Sequence, residues 1–276
     1  MDIMGEKILS LVEKQKISLD ILKYVSNFCA EHNIRYYLAY GTLLGAIRHK
    51  GFIPWDDDVD IQIPRPDYEK FLKEFTDTSD YELLTCFKTR DYILPYAKVS
   101  SKNTKMLLPS GKIINQGIGI DLFPLDGIPN DMSYETANDI FSKHNNTYIK
   151  MIQNIGFCKY FQPITAKEYI KKGMQWIGEK TNIIQKTARK LSYDPFGVGY
   201  EQCEKIAIAV AVNSGLFCVF NKEWFVQNEV DFENAKFYAP SGYGEILTML
   251  YNDYMKLPPE QERQTTHLIK YIWDKV

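Results

Sequence analysis

The stretch from Tyr40 to Ile63 constrains this chain more than any other. A small-residue turn, Gly41-Thr42, leads into a short apolar helix expected over Leu43 to Arg48. A basic loop, Arg48-His49-Lys50-Gly51, follows. After Pro54-Trp55 come four acids in five positions, Asp56, Asp57, Asp58 and Asp60, which run into an alternating strand expected over Val59 to Ile63. Folding alone does not call for carboxylates packed this closely. They repel one another, and their pKa values rise unless a cation sits among them. A metal site is the economical explanation. Side chains on a strand alternate, so Asp58 and Asp60 share a face about 7 Å apart while Val59 and Ile61 turn to the core. Two carboxylates in that arrangement suit Mg²⁺, which keeps its other positions for water and substrate phosphates.

A calcium loop of the EF-hand type does not fit. Asp56, Asp58 and Asp60 match its first three ligand positions, but Ile61 stands where glycine is needed and Asp67 where glutamate is needed. Asp121 supplies what the first stretch lacks. It is a single acid in the apolar strand Ile118 to Phe123, and such an acid needs a partner or a task. As a third carboxylate it completes a metal site or serves as base toward a hydroxyl. Asp126, beyond Pro124, reads as a turn or cap residue. The Gly41-Thr42 turn offers backbone N–H groups and a hydroxyl to phosphate, seventeen positions before the acid pair.

Several cations fall near these elements. Arg48 is expected to meet a phosphate, or to pair with Asp56 or Asp57. Lys98, on the strand Tyr96 to Ser100, is expected to face the same cleft. Arg263 and His267 stand four apart, share a face if helical, and form a second phosphate-binding candidate. Tyr40 and Trp55 flank the motif, where rings stack on a base, hold a cation by cation–π contact or pack in the core.

The 276 residues suit one large domain. Net charge near −2 gives no case for nucleic acid as a partner. Five cysteines without a CxxC pair argue against a disulfide framework or a zinc cluster and fit a reducing cytoplasm. The most apolar run, Ile206 to Phe220, is interrupted by Asn213-Ser214-Gly215 and is too short to span a bilayer. It reads as core, which leaves transient contact with a membrane surface open. Strands alternate with helices up to about residue 130. A Lys-, Gln- and Asn-rich region with helical spacing covers 131–200, and a mixed C-terminal part covers 201–276. The fold class expected is α+β: a mixed sheet flanked by helices over 33–130, a helical insert, and a C-terminal extension packing on that core.

Gly-Thr-Leu-Leu-Gly-Ala-x-Arg, Ile-Pro-Trp-Asp-Asp-Asp-Val-Asp, Asp-Leu-Phe-Pro-Leu-Asp-Gly and Leu-Pro-Pro together resemble the LicD family. That family has the nucleotidyltransferase superfold related to polymerase beta, includes bacterial phosphocholine transferases, and is related to fukutin and fukutin-related protein. The resemblance spans about Ile34 to Phe123 and Asn221 to His267. It implies transfer of a phospho-alcohol from a CDP-activated donor, CDP-choline or a related CDP-alcohol, to a hydroxyl of a glycan or glycolipid acceptor in teichoic acid or lipopolysaccharide. It also implies Mg²⁺ (Mn²⁺ being the alternative ion), with Asp58, Asp60 and Asp121 as ligands and Gly41 and Thr42 at phosphate. In one place the chain departs from the pattern: Tyr251-Asn252-Asp253-Tyr254 stands where Tyr-Gly-Asp-Tyr is expected. Asparagine tolerates a left-handed backbone, so the turn is expected to survive. The same carboxylates would serve a nucleotidyltransferase moving a nucleoside monophosphate. A non-catalytic nucleotide- or glycan-binding relative and a metal-free two-carboxylate glycosidase are further rivals.

Overall fold

A computed structural model describes residues 2–3, 6–89, 92–108, 111, 113–151, 182–208, 219–264 and 269–274. In order, its elements are β1 (Asp2–Ile3), β2 (Glu6–Lys7), α1 (Leu11–Glu31), β3 (Tyr37–Leu38), α2 (Tyr40–Arg48), β4 (Asp60–Pro64), α3 (Arg65–Glu74), β5 (Tyr81–Leu84), β6 (Ala97–Ser101) and β7 (Thr104–Leu107). Then come β8 (Ile113–Ile114), β9 (Gly119–Ile128), α4 (Tyr134–Met151), α5 (Ile183–Leu191), β10 (Lys205–Ala207), β11 (Val219–Asn221), β12 (Gln227–Phe232), β13 (Ala235–Pro240), α6 (Tyr243–Tyr251) and β14 (Lys270–Trp273).

Strand β9 is the spine. On one side it runs parallel to β4, with Asp60 opposite Asp121 and Pro64 opposite Leu125. On the other side its first half pairs antiparallel with β6 and its second half antiparallel with β10. Strand β3 extends the sheet beyond β4, β5 beyond β6 and β11 beyond β10. Val59, Ile61, Ile63, Ile120, Leu122 and Leu125 are fully buried, which makes this sheet the centre of the core. The architecture is α+β with a nucleotidyltransferase-like mixed sheet, as expected.

The strand does not stop at Pro124. The Asp121 N–H bonds to the Val59 carbonyl on the β4 side. Alternation therefore aims the Pro124 nitrogen at the other edge. There β6 ends opposite Leu122 and β10 begins opposite Asp126, so no ladder bond is lost. Asp126 is thus neither a turn nor a cap residue. It lies in β9, wholly buried, and accepts from Arg65 Nε at 2.5 Å and Nη2 at 2.8 Å. Burial pushes its carboxyl up to about 6 and Arg65 pulls the other way, so it is ionised at neutral pH.

Helix α1 opens with a capping box. The Ser10 side chain accepts from the Glu13 N–H, and the Glu13 carboxylate accepts from the Ser10 N–H at 2.8 Å. Its buried stripe is Lys14, Ser18, Ile21, Leu22, Val25 and Cys29, whereas Val12 is exposed. Asp67 does not cap α3. It sits in the first helical turn and accepts from Arg35 Nε at 2.5 Å. In the C-terminal part, the Tyr37 hydroxyl donates to the Phe225 carbonyl at 2.5 Å, tying β3 to the segment before the β12–β13 hairpin. Of the apolar run from Ile206 to Phe220, Ile206, Ala207, Ile208, Val219 and Phe220 are buried core. Residues 209–218, like 152–181 of the expected helical insert, lie outside the described residues.

Candidate active site

Three neighbouring strands place three charged side chains in one row. Asp60 on β4 stands opposite Asp121 on β9, and Asp121 stands opposite Lys98 on β6. Lys98 Nζ meets Asp121 Oδ1 at 2.9 Å, with both side chains 19% exposed, so the pair is sheltered from solvent screening. Asp58 precedes the strand, which begins only at Asp60. The burial alternation nevertheless runs back through Asp57, Asp58 and Val59, so Asp58 and Asp60 share the less buried side as expected.

The acids load this row with negative charge. Burial drives the Asp60 carboxyl well above the ordinary aspartate range, and Asp58, Asp121 and Asp56 push it further, with Lys98 opposing them. For Lys98, burial opposes the charged form, but Asp121 and Asp60 hold the proton and the net shift is upward. A cavity of about 250 Å³ opens beside the row, lined by Asp57, Asp58, Lys98, Gln116, Asp121 and Tyr271. Among the described residues, no three of His, Cys, Asp or Glu come together as a ready-made metal cage. The donor set fits an ion that takes one or two carboxylates and completes its shell with water and phosphate.

Local structure explains the arrangement. Thr42 is buried, and its hydroxyl oxygen accepts from the Asp60 N–H at 2.9 Å. The first turn of α2 is thereby fastened to the start of the acid strand. Gly41 makes room for the acids: a Cβ there would lie 2.7 Å from Asp56 Oδ2. Tyr40, which opens α2 at φ 46°, packs its ring edge-on against Phe123 at 5.5 Å and belongs to the core rather than to a base-stacking surface. Asp57 is buried in an ion pair with Lys14 from α1, and Gln15 Nε2 donates to the Asp56 carbonyl at 2.8 Å.

Not every expected residue arrives at the row. Arg48 donates through Nη1 to the carbonyls of Tyr254 at 2.9 Å and Lys256 at 3.4 Å, and through Nε to His49 at 2.9 Å. It clamps the C-terminal loop, and the expected pairing partner of Asp57 is Lys14 instead. The tip of the β12–β13 hairpin holds the rest of the basic loop, with Glu233 Oε1 accepting from the Phe52 N–H at 3.0 Å. Arg263 follows a 3₁₀ turn rather than sitting in an α-helix, and its Nε donates to the Pro258 carbonyl at 2.9 Å. The helix face it was expected to share with His267 is therefore absent at Arg263; His267 lies outside the described residues.

Three side chains at the site escaped the sequence reading. Lys14 had a signal, a lysine on the otherwise buried stripe of α1. Tyr251 stands in the Tyr-Asn-Asp-Tyr motif, which was read for its turn alone. Burial raises its pKa first, then Asp60, Asp56 and Asp58. Tyr271, in β14, is raised by burial and by Asp121, Asp57 and Asp58 against Lys98. Nothing in its local sequence pointed to the site.

Sequence comparisons bear on what this site belongs to. The family model described as "LicD/FKTN/FKRP, nucleotidyltransferase domain" matches residues 33–164, which contain the whole row. An uncharacterised protein of Rickettsia typhi is 42% identical over 67 residues, 23% of this chain and 22% of its own length. The lipopolysaccharide cholinephosphotransferase LicD of Haemophilus influenzae is 32% identical over 285 aligned positions. Because that alignment takes in 95% of this chain and 97% of the relative, the chain belongs to the LicD family of phosphotransferases.

Proposed function

We propose that this protein transfers phosphocholine from CDP-choline, or a related phospho-alcohol from its CDP derivative, to a hydroxyl of a cell-surface glycan or glycolipid. The donor is a nucleotide, so the reaction is assigned to the cytoplasm. The observation that carries the reading is the Asp60–Asp121–Lys98 row with Asp58 at its mouth, in a chain that aligns end to end with a named cholinephosphotransferase.

Asp58 and Asp60 would hold Mg²⁺, with Asp121 beside them as the base; the mutual repulsion that raises Asp60 is what a divalent cation relieves. When bound, the ion neutralises the donor diphosphate and polarises the phosphoryl oxygens. The chain's own groups do the rest. The acceptor oxygen attacks the choline-bearing phosphorus, the bond from that phosphorus to the CMP oxygen breaks, and the hydroxyl proton passes to Asp121. Lys98 orients Asp121 and sets a positive charge beside the reacting phosphate. Thr42 acts as a positioning residue through Asp60. The N–H groups of Gly41 and Thr42, in the first turn of α2, would meet phosphate.

The test is product analysis with purified protein, Mg²⁺, CDP-choline and a lipopolysaccharide or teichoic acid acceptor. CMP release with choline appearing on the acceptor supports the reading. The description of the matched domain favours one alternative, nucleoside monophosphate transfer. Pyrophosphate release from a nucleoside triphosphate, with no CMP from CDP-choline, would establish that alternative instead.

A further inference from the structure

A second cavity lies at Trp55, the residue that precedes the acids. It is a groove of about 510 Å³, walled by Ile53, Trp55, Tyr251 and Tyr254, with Asp253 and Glu262 at its exposed margin. Trp55 directly precedes Asp56 in the chain, and Tyr251 feels the charges of Asp60, Asp56 and Asp58, so the groove begins where the acids end. Its two cations, Arg48 and Lys256, are matched by the carboxylates of Asp253 and Glu262. Arg48 donates to the carbonyls of Tyr254 and Lys256 and to His49, which fixes the floor of the groove. Lys256 lies at the exposed rim.

We propose that this groove is the head-group pocket and that it selects a quaternary ammonium. A trimethylammonium group has no hydrogen-bond donor or acceptor, carries a diffuse positive charge and presents only methyl surface. Aromatic faces receive such a group well, and indole is the best of them. A polyol head group would need a hydrogen-bonding partner for each hydroxyl, and these mainly apolar and aromatic walls supply few. The geometry also suits transfer: phosphorus beside Asp58 and Asp60 leaves the head group one short step from Trp55 and Tyr251. The polar cavity lined by Lys98 and Gln116 is left for the nucleotide and the acceptor. This inference rests on the proposed phosphocholine transfer for its biological sense, but not for its test.

The test has two arms. In the first, choline chloride and ethanolamine hydrochloride are titrated into the full chain by calorimetry, with no donor or acceptor present. The groove predicts tighter binding of choline, weakened on the order of tenfold by Trp55→Leu and also by Tyr254→Leu. The second variant covers the case in which Trp55→Leu fails to fold. In the second arm, kcat/KM is compared for CDP-choline and CDP-ethanolamine. Loss of the choline preference in either folded variant, with CDP-ethanolamine turnover retained, supports the pocket. Equal binding of choline and ethanolamine by the unaltered protein, or variants that keep the full choline preference, overturns it. If choline binds and the variants weaken it while no CDP-alcohol is turned over, the pocket stands and the proposed transfer falls.

Discussion

Asp60 is the most strained group in the site electrostatically. It is half-buried, opposed across the ladder by Asp121, preceded by Asp58 and approached by Asp56, with Lys98 as the countercharge. Replacing it with asparagine keeps the volume and removes the charge that a divalent ion would meet. CMP release by Asp60→Asn is expected to fall by about 100-fold or more, and by Asp121→Asn likewise. Full activity in either variant, folded by circular dichroism, would remove that residue from the mechanism. Asn252 sits at φ 56° and ψ −115°, with positive φ as expected for the turn but outside the left-handed well that asparagine tolerates. Glycine adopts that conformation freely. Asn252→Gly is therefore expected to stabilise the chain by about 1 kcal/mol in thermal unfolding, relieving a strain of that order. A lower melting temperature would show that the asparagine side chain contributes something the backbone does not.

Among the elements, the two ends of β9 do different work. Its first half carries Asp121 to the active row, and its second half buries Asp126 against Arg65 from α3. Arg65 also donates to the Ser192 carbonyl at 3.0 Å, so one guanidinium joins the sheet, α3 and the end of α5. Arg65→Leu leaves a buried carboxylate without its cation and is expected to cost about 3–5 kcal/mol by urea denaturation. A loss under about 1 kcal/mol would mean that water or a neighbour replaces the arginine. At the start of α1, Lys7 foremost, with the N–H and hydroxyl of Ser10, holds the Glu13 carboxyl down from 4.5 to about 2. A depressed acid stabilises the folded state above its unfolded pKa, so the capping contribution is present above pH 4.5 and is lost as pH falls toward 2. Carbon-detected NMR titration should place the Glu13 midpoint near 2, and Lys7→Ala should move it upward. A midpoint unchanged by that substitution would contradict the assignment to Lys7.

For the molecule as a whole, the site is a seam between the N-terminal sheet and the C-terminal segment. Residues 14 to 121 supply the acids and the lysines, whereas Tyr251, Tyr254 and Tyr271 close two of its sides. Among the described residues no helix is long and apolar enough to cross a membrane. An ion and donor that bind across this seam should hold its two sides together. CDP-choline at about 100 times its dissociation constant, with Mg²⁺, is expected to add about 2.7 kcal/mol. That raises the melting temperature of a chain this size by roughly 5–10 °C. EDTA should remove both the shift and CMP release. A donor-induced shift that survives EDTA would mean that the nucleotide is held without a metal.

Tyr40 to Ile63 and Gly119 to Phe123 were legible in the sequence because their physics is local. Alternation sets which acids share a face, Gly41 and Thr42 begin a helix, and a Val-x-Ile-x-Ile run with its acids is a strand with a purpose. The same locality made the α+β class readable. What the sequence could not contain is register. Asp60 meets Asp121, and Asp121 meets Lys98, only because β4, β9 and β6 pair at one offset, and a slip of one residue would turn each side chain to the other face. Arg48 shows the converse. Its position in the chain suggested phosphate, but the C-terminal loop brings the carbonyls of Tyr254 and Lys256 across 206 and 208 residues of separation to occupy it. Local pattern determined which groups carry the chemistry. Long-range pairing, whose energy resides in contacts between distant segments, decided which of them meet.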